Sequence, residues 1–238
     1  MKRLLRSTAE ALGRLTGLRR LPSLEKASWV LDFYDFRRRN EDVSQFADRY
    51  GLYKHLNKEV IRDEAICYLE FGVYNGDSFR KWVELNKNPE SRFFGFDTFE
   101  GLPEKWDMGS GAVMDKGTFD TGGQTPECAD SRATFVKGVF QATLLPFLAA
   151  GLPPHQRLVL HMDADLYSST LFCLAQLYPH IVPGTLIVFD ELVNSIHEYR
   201  ALQDWSQSHL VDYKVLGATP RFEQAAVEVT RKRLHYRD

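Results

Sequence analysis

Two apolar runs of this chain each end in a pair of acids. Asp163 and Asp165 close RLVLHMDAD (157–165), and Asp190 and Glu191 close GTLIVFDEL (184–192). If both runs are strands of one sheet, four carboxylates meet at its edge, where burial without a counter-charge costs several kcal/mol. A hard divalent cation removes that cost, and Mg²⁺ or Mn²⁺ suits an all-carboxylate set better than Zn²⁺. The plainer alternative is a row of solvated acids capping the helices that follow. His161, two residues before Asp163 in the same apolar run, is either a hydrogen-bonded core histidine or part of a catalytic group.

A second constellation lies upstream. The run AICYLEFG (65–72) leads through Glu70-Phe71-Gly72-Val73-Tyr74-Asn75-Gly76-Asp77-Ser78. Gly72 and Gly76 permit a tight turn and close backbone approach ahead of a helix N-terminus. The spacing is neither the dinucleotide fingerprint GxGxxG nor a phosphate loop with GK[ST], which argues against NAD and ATP. An acid two residues before the first glycine suits a ligand with a cationic amine and no pyrophosphate. The next run, SRFFGFDT (91–98), reaches Asp97, 25 residues after Gly72. A carboxylate there can accept both hydroxyls of a ribose; a turn or helix-cap role is the alternative.

These residues need a scaffold that brings strand ends together. From Ala65 onward, short apolar runs alternate with helical segments. Besides the four runs above, ATFVKGV (133–139), YKVLGAT (213–219) and QAAVEVT (224–230) read as strands. DSFRKWVELNK, QATLLPFLAA, SSTLFCLAQLYPHI and HEYRALQDWSQSH read as helices between them. Such alternation predicts an α/β fold with a parallel sheet covered on both faces, and ligands then bind outside the carboxyl ends of the strands. The last two strands have no long helix between them, so the final one turns back antiparallel. Upstream, the spacing of Val43, Phe46, Tyr50, Tyr53 and Leu56 predicts one helix over 42–62. The glycine-rich stretch 99–132 is too long for an ordinary connection and reads as an active-site lid or as disorder.

The 238-residue chain divides into an N-terminal helical extension (1–63), serving as lid or oligomer contact, and one α/β domain (64–238). A formal net charge of -2 argues against a nucleic-acid partner. No apolar run approaches the roughly 20 residues of a membrane span. Cys67, Cys128 and Cys173 are far apart and odd in number, which suits free thiols in a reducing compartment and a cytoplasmic location. Residues 1–20 carry six basic side chains against Glu10, with leucines near helical spacing. They read as a helix covering the core or pairing subunits in a homo-oligomer, or as weak contact with an anionic membrane surface.

Taken together, YLEFGVYNGDSF, FFGFDTFEGLP, FVKGVFQATLLPF, HMDADLYSSTLFCLAQLYPHIVPG and VFDEL resemble the class I S-adenosylmethionine-dependent methyltransferases. More narrowly, they resemble the macrocin O-methyltransferase family, which methylates sugar hydroxyls. The resemblance spans about residues 65–195. It implies a Rossmann-like, seven-stranded sheet with the last strand antiparallel. It also implies S-adenosylmethionine contacts from Glu70, Gly72, Tyr74, Gly76 and Ser78 at the methionine end, and from Asp97, Thr98 and Phe99 at the ribose. Asp163, Asp190 and Glu191 would bind Mg²⁺ or Mn²⁺, and Asp165 or Asp163 would act as general base beside His161. The family pattern usually has two aspartates where this chain has Asp190-Glu191. The expected acceptor is a sugar or other glycan hydroxyl. A catechol-like phenol, or a silent cofactor-binding partner protein, stands as the alternative.

Overall fold

The computed structural model of the chain describes residues 22–108 and 112–233. The basic stretch on which the amphipathic-helix and membrane-surface expectations fall lies outside the described residues. The strands are β1 (Ser44–Gln45), β2 (Ile66–Phe71), β3 (Arg92–Asp97), β4 (Trp106–Asp107), β5 (Val113–Met114), β6 (Ala133–Lys137), β7 (Arg157–Met162), β8 (Leu186–Phe189), β9 (Val211–Ala218) and β10 (Ala225–Lys232). The helices are α1 (Pro22–Arg39), α2 (Arg49–His55), α3 (Asp77–Leu85), α4 (Phe140–Ala149), α5 (Tyr167–Leu177) and α6 (Glu198–Ser208).

All seven expected strands form and lie in the order β9-β10-β8-β7-β2-β3-β6. β10 runs antiparallel to both neighbours, and the pairs among β8, β7, β2, β3 and β6 are parallel. An eighth strand, β1, adds to the edge by pairing parallel with β9. Periodicity cannot reveal so short a strand. It fits because Gly217 has no side chain, and a Cβ there would lie 2.7 Å from the Phe46 ring.

The helix expected over 42–62 is therefore divided. Asp48 starts α2 by accepting the Gly51 amide at 2.8 Å, a cap that leaves the preceding residues free to pair as strand. Beyond α2 the backbone widens into a π-helix over Leu56–Ile61. Strand residues alternate between two cores. Leu69, Phe71, Leu160 and Met162 join buried side chains of α1, α4, α5 and α6. Tyr68 and Val159, one residue out of phase, join Leu52, Tyr53, Phe79 and Trp82 of α2 and α3. Each large apolar side chain so buried contributes about 1.5–3 kcal/mol. Both faces of the sheet are covered, and its carboxyl edge is left to the loops.

The stretch 99–132 is folded among its described residues. β4 and β5 form an antiparallel hairpin, and Leu102 and Trp106 bury against Leu166 at the start of α5. Among the described residues no helix is long and apolar enough to cross a membrane.

Candidate active site

The carboxyl ends of β2, β3, β7 and β8 open onto a cavity of about 380 Å³. At its floor β2 and β7 approach closely: Gly72 has φ 94°, and a Cβ there would lie 1.7 Å from the Asp163 carbonyl oxygen. Only glycine fits both the angle and the space. Gly76, at φ 78°, then opens α3. Between them Tyr74 is held at φ 48°, its ring edge-on to Phe119 at 5.3 Å.

Asp97 fastens this turn. Its Oδ2 accepts the Val73 and Tyr74 amides, each at 2.8 Å, and its Oδ1 accepts the Phe99 amide at 2.8 Å. The carboxylate still lines the cavity beside Gly72, Tyr74 and Thr98. A carboxylate has about four acceptor positions, and the fourth meets the Thr98 hydroxyl at 3.5 Å, a long contact that a ligand hydroxyl could replace.

The opposite wall carries Asp163, Asp165, Asp190 and Glu191. Burial, then the charges of Asp190 and Asp165, push the Asp163 carboxyl well above the usual range. Burial, then Glu191 and Asp190, push Asp165 up. Burial, then Asp190 and Glu223, raise Glu191 from 4.5 to about 7. Asp165 also sits at φ 58°, a conformation that non-glycine residues seldom adopt.

Two basic side chains face this wall. Arg49 Nη1 lies 3.0 Å from Asp190 Oδ2; burial opposes its charge, but Asp190, Tyr53, Asp163 and Tyr50 together outweigh burial and its pKa ends above its ordinary value. His161 stands behind, fully buried. Burial disfavours its charged form, yet Asp190 and Glu70 together outweigh that and raise it to about 10. His161, Asp163 and Asp190 each offer a ligand atom, and these atoms lie within 4.8 Å of one another. This compact group contains His161 in the place expected for Glu191.

Glu70, Gly76, Ser78, Phe99 and His161 do not line the cavity. Strand alternation explains two of them: Glu70 and His161 point to the core beside α2 and α3, where both are fully buried. Glu70 Oε1 accepts the Ser78 hydroxyl at 2.7 Å, and Oε2 accepts the Tyr68 hydroxyl. His161 Nδ1 lies 3.3 Å from Glu70 Oε2 and 2.7 Å from the Tyr68 hydroxyl, and Nε2 lies 3.3 Å from the Tyr53 hydroxyl. Glu70 and Ser78, expected to contact the cofactor, are thus buried beneath the turn and hydrogen-bonded to each other. His161 is the hydrogen-bonded core histidine, within reach of the acid group. Phe99, at φ 57°, is fully buried and packs on Phe135.

Other site residues had no signal in the strand ends. Arg49 lay inside the helix expected over 42–62. Glu198, fully buried, accepts the Glu191 amide at 2.9 Å through Oε2, while its Oε1 has no hydrogen-bond partner. Burial, then Asp163, push its pKa well up, which favours the neutral acid. The stretch 99–132 supplies Leu102, Trp106, Met108, Met114 and Phe119 as an apolar roof. Lys26 of α1 pairs with Asp107 of the roof. His197 Nε2 lies 2.8 Å from the Asp107 carbonyl oxygen, and its Nδ1 accepts the Tyr167 amide at 3.0 Å.

The strand order, the reversed last strand and the cavity at the carboxyl edge define the class I methyltransferase fold, and solved structures share it. The calicheamicin methyltransferase CalS11, also described as a TDP-rhamnose 3'-O-methyltransferase, is 24% identical with a TM-score of 0.56, over 76% of this chain and 80% of its own. An O-methyltransferase from Bacillus cereus, in complex with SAH, is 12% identical with a TM-score of 0.51, over 86% of this chain and 91% of its own. The sequence model of the Macrocin-O-methyltransferase (TylF) family matches residues 53–217, and the chain belongs to that family. A curated relative from Streptomyces olivaceus, 8-demethyl-8-(2,3-dimethoxy-alpha-L-rhamnosyl)-tetracenomycin-C 4'-O-methyltransferase, is 25% identical over 153 residues. The match covers 56% of this chain and 57% of the relative, so the chain spans little more than half the relative's length.

Proposed function

We propose that the chain transfers the methyl group of S-adenosylmethionine to a hydroxyl of a sugar or glycosylated acceptor, with a divalent cation, Mg²⁺ or Mn²⁺, at the acid wall. The observation that carries this reading is one cavity joining the Gly72–Asp97 turn to four acids. Family membership supports methyl transfer, and the rhamnose acceptors of CalS11 and the Streptomyces relative support a sugar.

The chemistry is a displacement. The acceptor oxygen bonds to the methyl carbon as the carbon–sulfur bond breaks, its proton passes to a carboxylate, and a methyl ether and S-adenosylhomocysteine result. Asp97 would accept a ribose hydroxyl, with Gly72 and Tyr74 against the cofactor. Asp165, on the cavity wall, would take the proton. The donor set fits a hard cation: carboxylates outnumber the basic side chains here, and the Asp163 and Asp190 oxygens belong to the compact group. Asp163 and Asp190 would hold the ion, with Glu191 beside them. When bound, such an ion supplies positive charge that acidifies a neighbouring hydroxyl. Residues 64–238 form the catalytic unit in this reading. The extension 1–63 adds Arg49 to the cavity wall and Lys26 to the lid.

Calorimetric titration of S-adenosylhomocysteine, with Mg²⁺ and then with EDTA, followed by turnover on sugar and catechol acceptors, tests the proposal. Binding in both conditions with metal-dependent turnover on a sugar is the expected result. Turnover on catechol alone would replace the acceptor class. Absence of cofactor binding would remove the methyltransferase reading.

A further inference from the structure

A second cavity, of about 290 Å³, lies between the C-terminal turn of α1 and the turn from β9 to β10. Arg37, Arg38 and Arg221 line it with Tyr34, Gln45 and Phe222 beside one lining carboxylate, Glu41; Arg38 Nη2 also lies 3.4 Å from Asp35 Oδ1. Three features go beyond basic residues balancing a helix C-terminus. The Arg37 Nε is buried and has no hydrogen-bond partner. Its guanidinium lies over the Phe222 ring, 6.0 Å from the centroid, which restrains the orphan donor. Arg221 and Phe222 are consecutive residues at φ 59°, a costly pair that fixes the Arg221 backbone at the cavity wall.

The turn carrying Arg221 is also fastened to the acid wall. Gln224 Nε2 donates to the Asp190 carbonyl at 3.0 Å, and the Leu192 amide donates to the Glu223 carbonyl at 2.8 Å. The basic cavity and the candidate active site therefore share the carboxyl edge of the sheet. Arginine forks match phosphate oxygens in geometry and charge.

We infer that this cavity binds a phosphate or diphosphate group, held by Arg37, Arg38 and Arg221. That the group belongs to the acceptor, as the diphosphate of an activated sugar, rests on the sugar-acceptor reading above. The phosphate site itself does not.

The test is calorimetric titration of inorganic pyrophosphate into the full chain, in EDTA and at about 0.15 M ionic strength to screen diffuse attraction. One pyrophosphate per chain should bind, and Arg37→Ala and Arg221→Ala should each weaken it about tenfold or more. S-adenosylhomocysteine affinity should not change in these variants. No pyrophosphate binding, or undiminished binding in both variants, overturns the site. Should Arg37→Ala fail to fold, Arg38→Ala takes its place beside Arg221→Ala. Wild-type protein that binds pyrophosphate but not S-adenosylhomocysteine keeps the site and loses the methyltransferase reading. The reverse keeps the reading and loses the site. A nucleoside diphosphate binding tighter than pyrophosphate assigns the phosphate to a nucleotide-linked sugar. Arg221-dependent sedimentation with phosphatidic acid vesicles assigns it to a lipid.

Discussion

Asp97 and Asp163 stand at one edge of the sheet, on strands separated only by β2, yet their surroundings are opposite. Asp97 accepts three backbone amides from the turns around it. Asp163 is pressed by burial and by the charges of Asp190 and Asp165. The first carboxylate is matched by the fold itself, and the second is matched only in part. An acid completed by backbone donors shapes a binding turn. Acids left short of positive charge are where a cation or a proton must enter.

Changes on either side of this contrast should differ in kind. The largest effect is expected where the two sides touch. Gly72→Ala places a Cβ 1.7 Å from the Asp163 carbonyl oxygen and should cost about 4 kcal/mol or more. That lowers the melting temperature by about 10 °C and abolishes S-adenosylhomocysteine binding. A stable, binding-competent variant would show that β2 and β7 do not meet so closely.

Next comes Asp163→Asn, expected to reduce turnover at least about 10²-fold while cofactor affinity stays within about twofold. Unchanged turnover would take the cation out of the reading. Asp97→Ala should do the converse. Cofactor binding weakens about tenfold and the protein loses about 1–3 kcal/mol, because three amides lose their acceptor. Stabilisation by Mg²⁺ persists. Loss of the Mg²⁺ effect together with cofactor binding would mean that the two sides are not separable.

A pH titration sharpens the contrast further. Glu191 moves from 4.5 to about 7 on folding, and Asp165 moves in the same direction. A carboxyl raised on folding holds its proton better in the native state. Its stabilisation is complete below the unfolded pKa and is lost as pH rises through the folded one. The metal-free protein should therefore melt several degrees lower at pH 8 than at pH 5.5. Mg²⁺ should reduce that loss, and Glu191→Gln should flatten it. A melting temperature rising over this interval would contradict the crowding of the acid wall. The smallest effect is expected from Lys26→Ala, which removes an exposed pair with Asp107 and should cost less than about 1 kcal/mol. A larger loss of cofactor affinity would make that pair a latch of the lid.

How much of this was legible in the sequence depends on the range of the interaction involved. The seven long strands, their alternation with helices and the reversed last strand follow from local apolar period and length. So do the positions of Asp97, Asp163, Asp165, Asp190 and Glu191, because each acid closes a run that must be buried. The side a residue faces at a strand end was not legible in the same way. Glu70 lies two residues from Gly72 and still turns into the core, where Ser78, Tyr68 and His161 receive it. The two-residue β1 was invisible, since its partner, Gly217, lies some 170 positions away.

By itself, the sequence determined the fold class and the edge at which chemistry would gather, since both rest on burying apolar runs of fixed period. Tertiary structure alone decided which of the gathered acids are neutralised by the protein and which are not. Arg49 from α2, Glu198 from α6 and the amides around Asp97 reach the site from segments with no common local pattern. Charge balance depends on distances of a few ångströms between such segments, and no spacing along the chain encodes those distances.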